Sequence, residues 1–210
     1  MNSANKGILI AIEGIDGTGK STQVGLLAQY LRSRGCEVVE TREPTGGPYG
    51  QRIRELFVDR GRCTLEEELN LFIEDRRQHV REVIAPALAK GRIVLTDRYY
   101  FSTAAYQGAA GMDPAEVFAR NLFAPQPDLV LLLTMEPATS LVRIRESRGE
   151  ELNDFEQEDQ LRRVAELFAS FADPCITRIA AAGSLDHVAG VIRQAVDRLL
   201  LAKHYACPRP

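Results

Sequence analysis

The stretch Gly14-Ile15-Asp16-Gly17-Thr18-Gly19-Lys20-Ser21 matches G-x-x-x-x-G-K-[S/T], directly after the apolar run Ile8-Leu9-Ile10-Ala11-Ile12 and directly before a helical pattern over 19–34. Such a loop can curl until its backbone amides point inward, because glycine tolerates the conformations that curling needs. The helix starting near Gly19 adds the positive end of its dipole, and a phosphate chain is the anion that suits this cradle. Gly14, Ile15, Asp16, Gly17, Thr18, Gly19, Lys20, Ser21 and Thr22 are therefore expected to bind ATP. Lys20 sets a point charge at the β and γ phosphates, and the Ser21 hydroxyl is expected to ligate Mg²⁺. The chain carries no guanine-reading N-K-x-D run, so GTP is not the expected nucleotide.

Downstream, short apolar runs alternate with longer helical patterns, the order of βαβ units on a parallel sheet. Strands are expected at 8–13, 37–41, 92–97, 129–134 and 175–180, and helices at 19–34, 49–60, 65–90, 114–123, 137–148, 157–172 and 185–202. Runs such as Leu129-Val130-Leu131-Leu132-Leu133 are apolar throughout, as strands covered on both faces must be. The expected fold is α/β, a doubly wound five-stranded parallel sheet with helices on both faces, in a single domain over 1–210. The polar run from Arg145 to Asp154 breaks the periodicity between two helices. It reads as a solvated corner or a mobile lid, and its charge pattern favours the corner.

The balance of 26 basic against 29 acidic residues leaves a net charge of −3, which argues against a protein that coats nucleic acid or an anionic membrane. No apolar run approaches the roughly 20 residues of a membrane span. Met1 to Lys6 lead into the first strand without an export signal, so a cytoplasmic protein is expected. Cys36, Cys63, Cys175 and Cys207 lie far apart, with no C-x-x-C pair, and are expected as reduced thiols. His79, His187 and His204 read as ordinary helix or tail residues, and Lys203 to Pro210 as a frayed end. Of the 26 cations, 22 are Arg, which reads either as a surplus of phosphate-binding forks or as codon bias.

The strand over 92–97 ends in Asp97-Arg98-Tyr99, at the carboxyl edge where open α/β sheets bind ligands. Asp97 is suited to hold Mg²⁺ through water, and Arg98 follows it toward the same edge. Five blocks now stand in sequence: Glu13 to Thr22, Thr41-Arg42-Glu43-Pro44, Asp75-Arg76, Asp97-Arg98-Tyr99 and Ser102-Thr103-Ala104-Ala105-Tyr106-Gln107-Gly108. Their order and spacing resemble the bacterial thymidylate kinases, which are P-loop nucleoside monophosphate kinases.

The resemblance implies a P-loop fold with a short lid at about 143–157, transfer of the γ-phosphoryl of ATP to dTMP with Mg²⁺, and a homodimer with helices such as 65–90 as contacts. It implies that Phe72 stacks on thymine and that Arg76, four residues on and on the same helix face, hydrogen-bonds the polar edge of the base. Ser102 or Thr103 with Gln107 would line the remaining base edge, and Tyr106 would pack against the sugar and disfavour a 2′-hydroxyl. Arg42 and Arg98 would grip the dTMP phosphate, and Asp16 would face that phosphate or the sugar. From the residues alone, Phe72 among Leu69, Leu71 and Ile73 reads rather as core, and Arg76 as a surface pair.

Phosphoryl transfer needs a cation near the transferring group. In the family it comes from an arginine in the phosphate loop or from the lid, and here the loop position is Gly17. The resemblance therefore turns the corner into a lid with a task, given first to Arg148 and second to Arg145, with Arg143 also near. Relatives usually carry D-R-x-E in the lid, whereas this chain has Asn153-Asp154-Phe155-Glu156. Two alternatives remain open: a kinase for another monophosphate or a deoxynucleoside, and a nucleotide-binding regulatory module, which Asp154 favours.

Overall fold

Ile8–Glu13 (β1) is apolar at every position but the last and buried along its whole length, which suits a strand paired at both edges and covered on both faces. In the computed structural model, which describes residues 7–58, 63–148 and 154–207, β1 is the centre of a five-stranded parallel sheet. The other strands are β2 (Val38–Arg42), β3 (Ile93–Asp97), β4 (Leu129–Thr134) and β5 (Ile176–Ala180), in the spatial order β2-β3-β1-β4-β5. The helices are α1 (Lys20–Ser33), α2 (Pro48–Val58), α3 (Leu65–His79), α4 (Ala85–Ala89), α5 (Tyr100–Ala109), α6 (Pro114–Arg120), α7 (Pro137–Arg148), α8 (Asp154–Ser170) and α9 (Leu185–Ala202). Alternate β1 side chains go to opposite faces. Ile8, Ile10 and Ile12 pack with α1 and α9, whereas Leu9 and Ala11 join a second core built from α3, α5 and α8. The doubly wound α/β architecture is the expected one, and so are the five strands to within a residue.

The helices depart from expectation in instructive ways. The stretch 65–90 is not one helix but α3, a wide π turn over Val80–Ile84 and then α4. Pro86, in the first turn of α4, has no N–H to return to the preceding turn, and the widened turn absorbs the missing bond. Periodicity places no helix over 100–109, yet α5 occupies it. Its first residues, Tyr100, Phe101, Ser102 and Thr103, are poor helix formers, and its start is held from outside. The Glu13 carboxylate accepts the amides of Tyr99 at 2.8 Å and Ser102 at 3.2 Å, the service that an N-cap side chain normally provides.

The C-terminus is also corrected. Cys36 and Cys207, expected as reduced thiols, form a disulfide with their Cα atoms 4.5 Å apart. Helix α9 packs along α1 and delivers the tail to the turn after α1, an approach across 171 residues that no local spacing announces. Cys63 and Cys175 remain free thiols. Nor is the described part of the tail frayed: Tyr205 donates its hydroxyl to Gly91 O at 2.6 Å, and Lys203 pairs with Asp128 at 2.6 Å. Among the described residues, no helix is long and apolar enough to cross a membrane.

Candidate active site

The phosphate loop turns where β1 leaves the sheet. Gly14 and Gly17 have φ of 137° and 80°, which side chains rarely adopt. A Cβ on Gly17 would stand 2.6 Å from the carbonyl oxygen of Ser140 on α7, and the Ser140 hydroxyl donates to the Asp16 carbonyl. A side chain at position 17 would therefore be strained and would press on the helix that leads into the lid. Lys20, at the start of α1, donates to Ile15 O at 2.8 Å and lies 4.0 Å from Asp16. Burial, and then the neighbouring Arg98, push its ammonium down from 10.5 to about 8. The Ser21 hydroxyl donates to the Asp97 carboxylate, so two hard oxygen donors meet beside the loop. Among the described residues no group of three or more His, Cys, Asp or Glu forms a cage. That donor set fits Mg²⁺, which is commonly held by one or two protein oxygens together with phosphates and water.

Arg98 is the hub of the next cluster. Its φ is 71°, and its backbone is fixed by Arg98 N donating to Ile12 O at 3.0 Å and by Thr96 Oγ1 donating to Arg98 O at 2.8 Å. The guanidinium donates to Asp16 at 2.5 Å, to the Ser102 hydroxyl at 2.9 Å and, more weakly, to Gly14 O and the Tyr106 hydroxyl at 3.4 Å. It also lies 5.1 Å from the Tyr106 ring centre, and Tyr106 in turn donates to Asp16 at 3.3 Å. Phosphate loop, β3 end and α5 are thus tied into one charged network.

Beneath Arg98 lies Glu13, a residue to which the sequence motifs give no role of its own. Besides the two α5 amides, its carboxylate accepts the Ser102 hydroxyl. Burial raises its pKa from 4.5 to about 7, against the opposing pull of Ser102 and Arg98. A raised folded-state value means that between pH 4.5 and 7 the folded chain keeps a proton that the unfolded chain has lost, so stability falls as pH rises through that window. Relative to Glu13→Gln, which cannot titrate, the natural protein is expected to lose about 3 kcal/mol of stability across that window. Denaturant titrations of both proteins at pH 5 and pH 7.5 measure this, and parallel stabilities would contradict it.

A third cluster surrounds Arg76, which is only 1% exposed. It binds Glu43, Thr103 and Asn121 rather than lying on the surface. Burial alone pushes the Glu43 carboxyl up, but Arg76 and His79 more than reverse this and hold it below the usual range. His79 is not an ordinary helix residue: it is buried between Glu43 at 2.9 Å and Thr41 at 2.6 Å. Asp75 accepts both the amide and the hydroxyl of Thr45, pinning the loop after Thr41-Arg42-Glu43-Pro44 to α3.

The expected site residues therefore fall in adjacent clusters along one sheet edge. Asp16, Arg98, Ser102 and Tyr106 meet directly, while the Thr103 hydroxyl is committed to Arg76. Gln107 is buried on α5, and its Oε1 has no partner among the described residues. Phe72 is half-buried one turn before Arg76. Arg42 is exposed opposite Asp97 in the sheet register and lines a cleft with Thr41, Thr45 and Gln78. In the expected lid, Arg143 donates to Ala181 O at 3.2 Å and Arg145 is half-buried on α7. Arg148 closes α7, but its side chain and residues 149–153 lie outside the described residues, as do the side chains of Asp154 to Glu156. Glu13, Glu43 and Asn121 are the residues that motif reading missed. Glu13 and Glu43 stand inside the blocks that carry the family resemblance, and Asn121 has no signal in the sequence.

Comparison with known proteins shows relatives of the chain in sequence. The family model described as thymidylate kinase matches residues 12–192. A thymidylate kinase of Desulfotalea psychrophila is 53% identical over 94% of this chain and 98% of its own. A thymidylate kinase of Xanthomonas campestris pv. campestris is 46% identical over 92% of this chain and 86% of its own.

Proposed function

The chain belongs to the thymidylate kinase family, and from that membership we propose that its site transfers the γ-phosphoryl of ATP to the phosphate of dTMP, giving dTDP for dTTP synthesis. The network joining Asp16 to Arg98 and Tyr106 carries the reading, because it couples the donor loop to the acceptor side within hydrogen-bond reach. The loop amides and Lys20 hold the β and γ phosphates of ATP. Arg98 and Arg42 grip the dTMP phosphate, and Asp16 positions Arg98 and the acceptor. Phe72 stacks on thymine, Arg76 and Gln107 meet its polar edge, and Tyr106 packs against the sugar where a 2′-hydroxyl would stand. The unpartnered Gln107 oxygen supports its role, since a buried acceptor without a donor is costly until a ligand supplies one.

Ser21 and Asp97 are the residues that would hold Mg²⁺, and when bound the ion neutralises charge on the phosphate oxygens. With substrates aligned, little covalent work falls to the protein, and rate comes from positioning and from charge placed at the equatorial oxygens. Since the phosphate loop carries Gly17 and no arginine, the remaining cation is assigned to the lid over 143–157, first to Arg148 and second to Arg145. Arg148→Ala is expected to lower kcat about 10²-fold with little change in KM for ATP, because the contact forms in the transition state. Steady-state kinetics with an unchanged kcat would remove Arg148 from that role.

The proposal extends to one kinase domain, a cytoplasmic setting and a homodimer. Tyr49, Phe57 and Leu65 expose apolar surface on α2 and the start of α3, which supports a dimer contact there, and sedimentation of the natural protein tests it. The experiment that decides the function is phosphoryl transfer from ATP with Mg²⁺ to dTMP, dUMP, dCMP, AMP and GMP in parallel. Turnover of dTMP well above the others is the expected result. Asp154 favours one other reading, a regulatory module, for which ATP and dTMP would bind and no dTDP would form.

A further inference from the structure

After α9 the chain turns at His204, whose φ is 51°, and follows the edge of the sheet at which the strands begin. Lys203 pairs at 2.6 Å with Asp128, which directly precedes β4 and whose other carboxylate oxygen accepts the amide of Leu9 in β1 at 3.0 Å. Tyr205 donates its hydroxyl at 2.6 Å to the carbonyl of Gly91, just before β3. Cys207 is bonded to Cys36, just before β2. The tail over 203–207 thus reaches the starts of β1, β2, β3 and β4. Tyr205 and Cys207 also pack against the core between α1 and α9, in which Cys36 is 4% exposed.

We propose that this tail is a redox-fastened clasp: thiol–disulfide exchange with a dithiol opens the Cys36–Cys207 bond, frees the start of β2 and lowers the thermal stability of the chain while its chemistry stays intact. The clasp meets the strand with the least support, since β2 lies at the sheet edge, is bonded to β3 alone and is half-buried or exposed throughout. Its two polar ties are weak fasteners, because an exposed ion pair and a single hydrogen bond each replace good contacts with water. The covalent tie is of another order. It joins residues 171 positions apart, and a cross-link restricts the unfolded chain more the longer the loop it closes. Such a bond is seldom permanent inside a cell, where disulfides are usually transient or redox-sensing, so the switch rests on the cytoplasmic setting proposed above. In the exchange, one thiolate of the dithiol attacks the sulfur of half-buried Cys207, and Cys36 leaves as a thiolate that takes a proton. The second thiol of the reagent then resolves the mixed disulfide. Two cysteine thiols result, and the dithiol is oxidised to its own disulfide. Arg42 ends β2 at the opposite edge of the sheet, so the phosphate-binding end stays in place when the clasp opens.

The test uses the full chain, prepared without reductant and then equilibrated under native conditions with dithiothreitol. Thiols are counted by alkylation and mass, thermal melts give Tm, and steady-state transfer from ATP to dTMP is followed at 25 °C. Two free thiols are expected before the dithiol, Cys63 and Cys175, and all four cysteines after it. Tm is expected to fall by about 10 °C on opening, with kcat unchanged, and to return on reoxidation with glutathione disulfide. Cys207→Ser should melt like the reduced natural protein and ignore dithiothreitol, whereas Cys63→Ser with Cys175→Ser should respond as the natural protein does. The reduced natural protein answers the same question if Cys207→Ser does not fold. Four free thiols before any reductant, or only two after it, would overturn the proposal. So would an unmoved Tm once all four are free, or a kcat that falls with the opening of the bond. Absence of transfer to dTMP in both states would remove the proposed activity, and the thiol count and the melts would still decide the clasp.

Discussion

Lys20→Ala is expected to lower kcat by about 10³-fold, the scale for removing one preorganised charge from a developing anionic transition state. Position makes the effect large: Lys20 opens α1, is 7% exposed and rests on a loop carbonyl until phosphates replace it. Folding should survive the change. Its ammonium is held at about 8 instead of 10.5, so below pH 8 the charged form costs the folded state energy that it does not cost the unfolded chain. That cost fades as pH rises from about 8 towards 10.5, where the unfolded chain releases its proton as well. At pH 7 the variant should therefore melt no lower than the natural protein, and any advantage should shrink above pH 8. Single-turnover kinetics beside thermal melts separate the two effects. Inactivity that tracks lost structure would defeat the assignment, and so would a kcat within tenfold of the natural enzyme.

Arg98→Ala is expected to reduce kcat/KM for dTMP by about 10³-fold, and Arg98→Lys to recover only a small part of it. Removing one member of a desolvated, hydrogen-bonded charge pair costs roughly 4 kcal/mol, which corresponds to about three powers of ten in rate. Here the guanidinium serves Asp16, Ser102, Gly14 and Tyr106 at once, a spread that a lysine point charge cannot reach. The natural chain also holds Arg98 at φ 71°, a conformation that a non-glycine residue adopts at a cost of order 1 kcal/mol or more. Backbone strain of that kind is retained where surrounding contacts enforce it. Kinetics at saturating ATP with dTMP varied measure the loss, and an Arg98→Lys enzyme with near-natural kcat/KM would show that charge alone suffices.

Much of this site is legible in the order of residues along the chain. The phosphate loop, its strand and its helix are contiguous, so their geometry follows from residues at fixed local spacing: glycines where φ is positive, Lys20 at a helix start, Asp97 and Arg98 at the end of an apolar strand. Strand boundaries are legible for the same reason, since burial on both faces demands unbroken apolar runs. The residues that hold these groups in place are not. Glu13 reaches Ser102 across 89 positions, Arg76 reaches Asn121 across 45, and Cys36 meets Cys207 across 171. None of those partnerships leaves a period or a motif.

Local chemistry therefore determined the parallel α/β sheet, the nucleotide loop and the resemblance to a kinase family, because each depends on neighbours in the chain. Only the folded arrangement decided that Ser140 stands where a side chain at Gly17 would go, that Glu13 caps the start of α5, and that Arg76 is a buried, hydrogen-bonded fork and not a surface cation. The physical reason is common to all three. A helix start, a close approach and a buried hydrogen bond depend on which groups tertiary packing brings within about 3 Å, and that distance is not encoded in spacing along the chain.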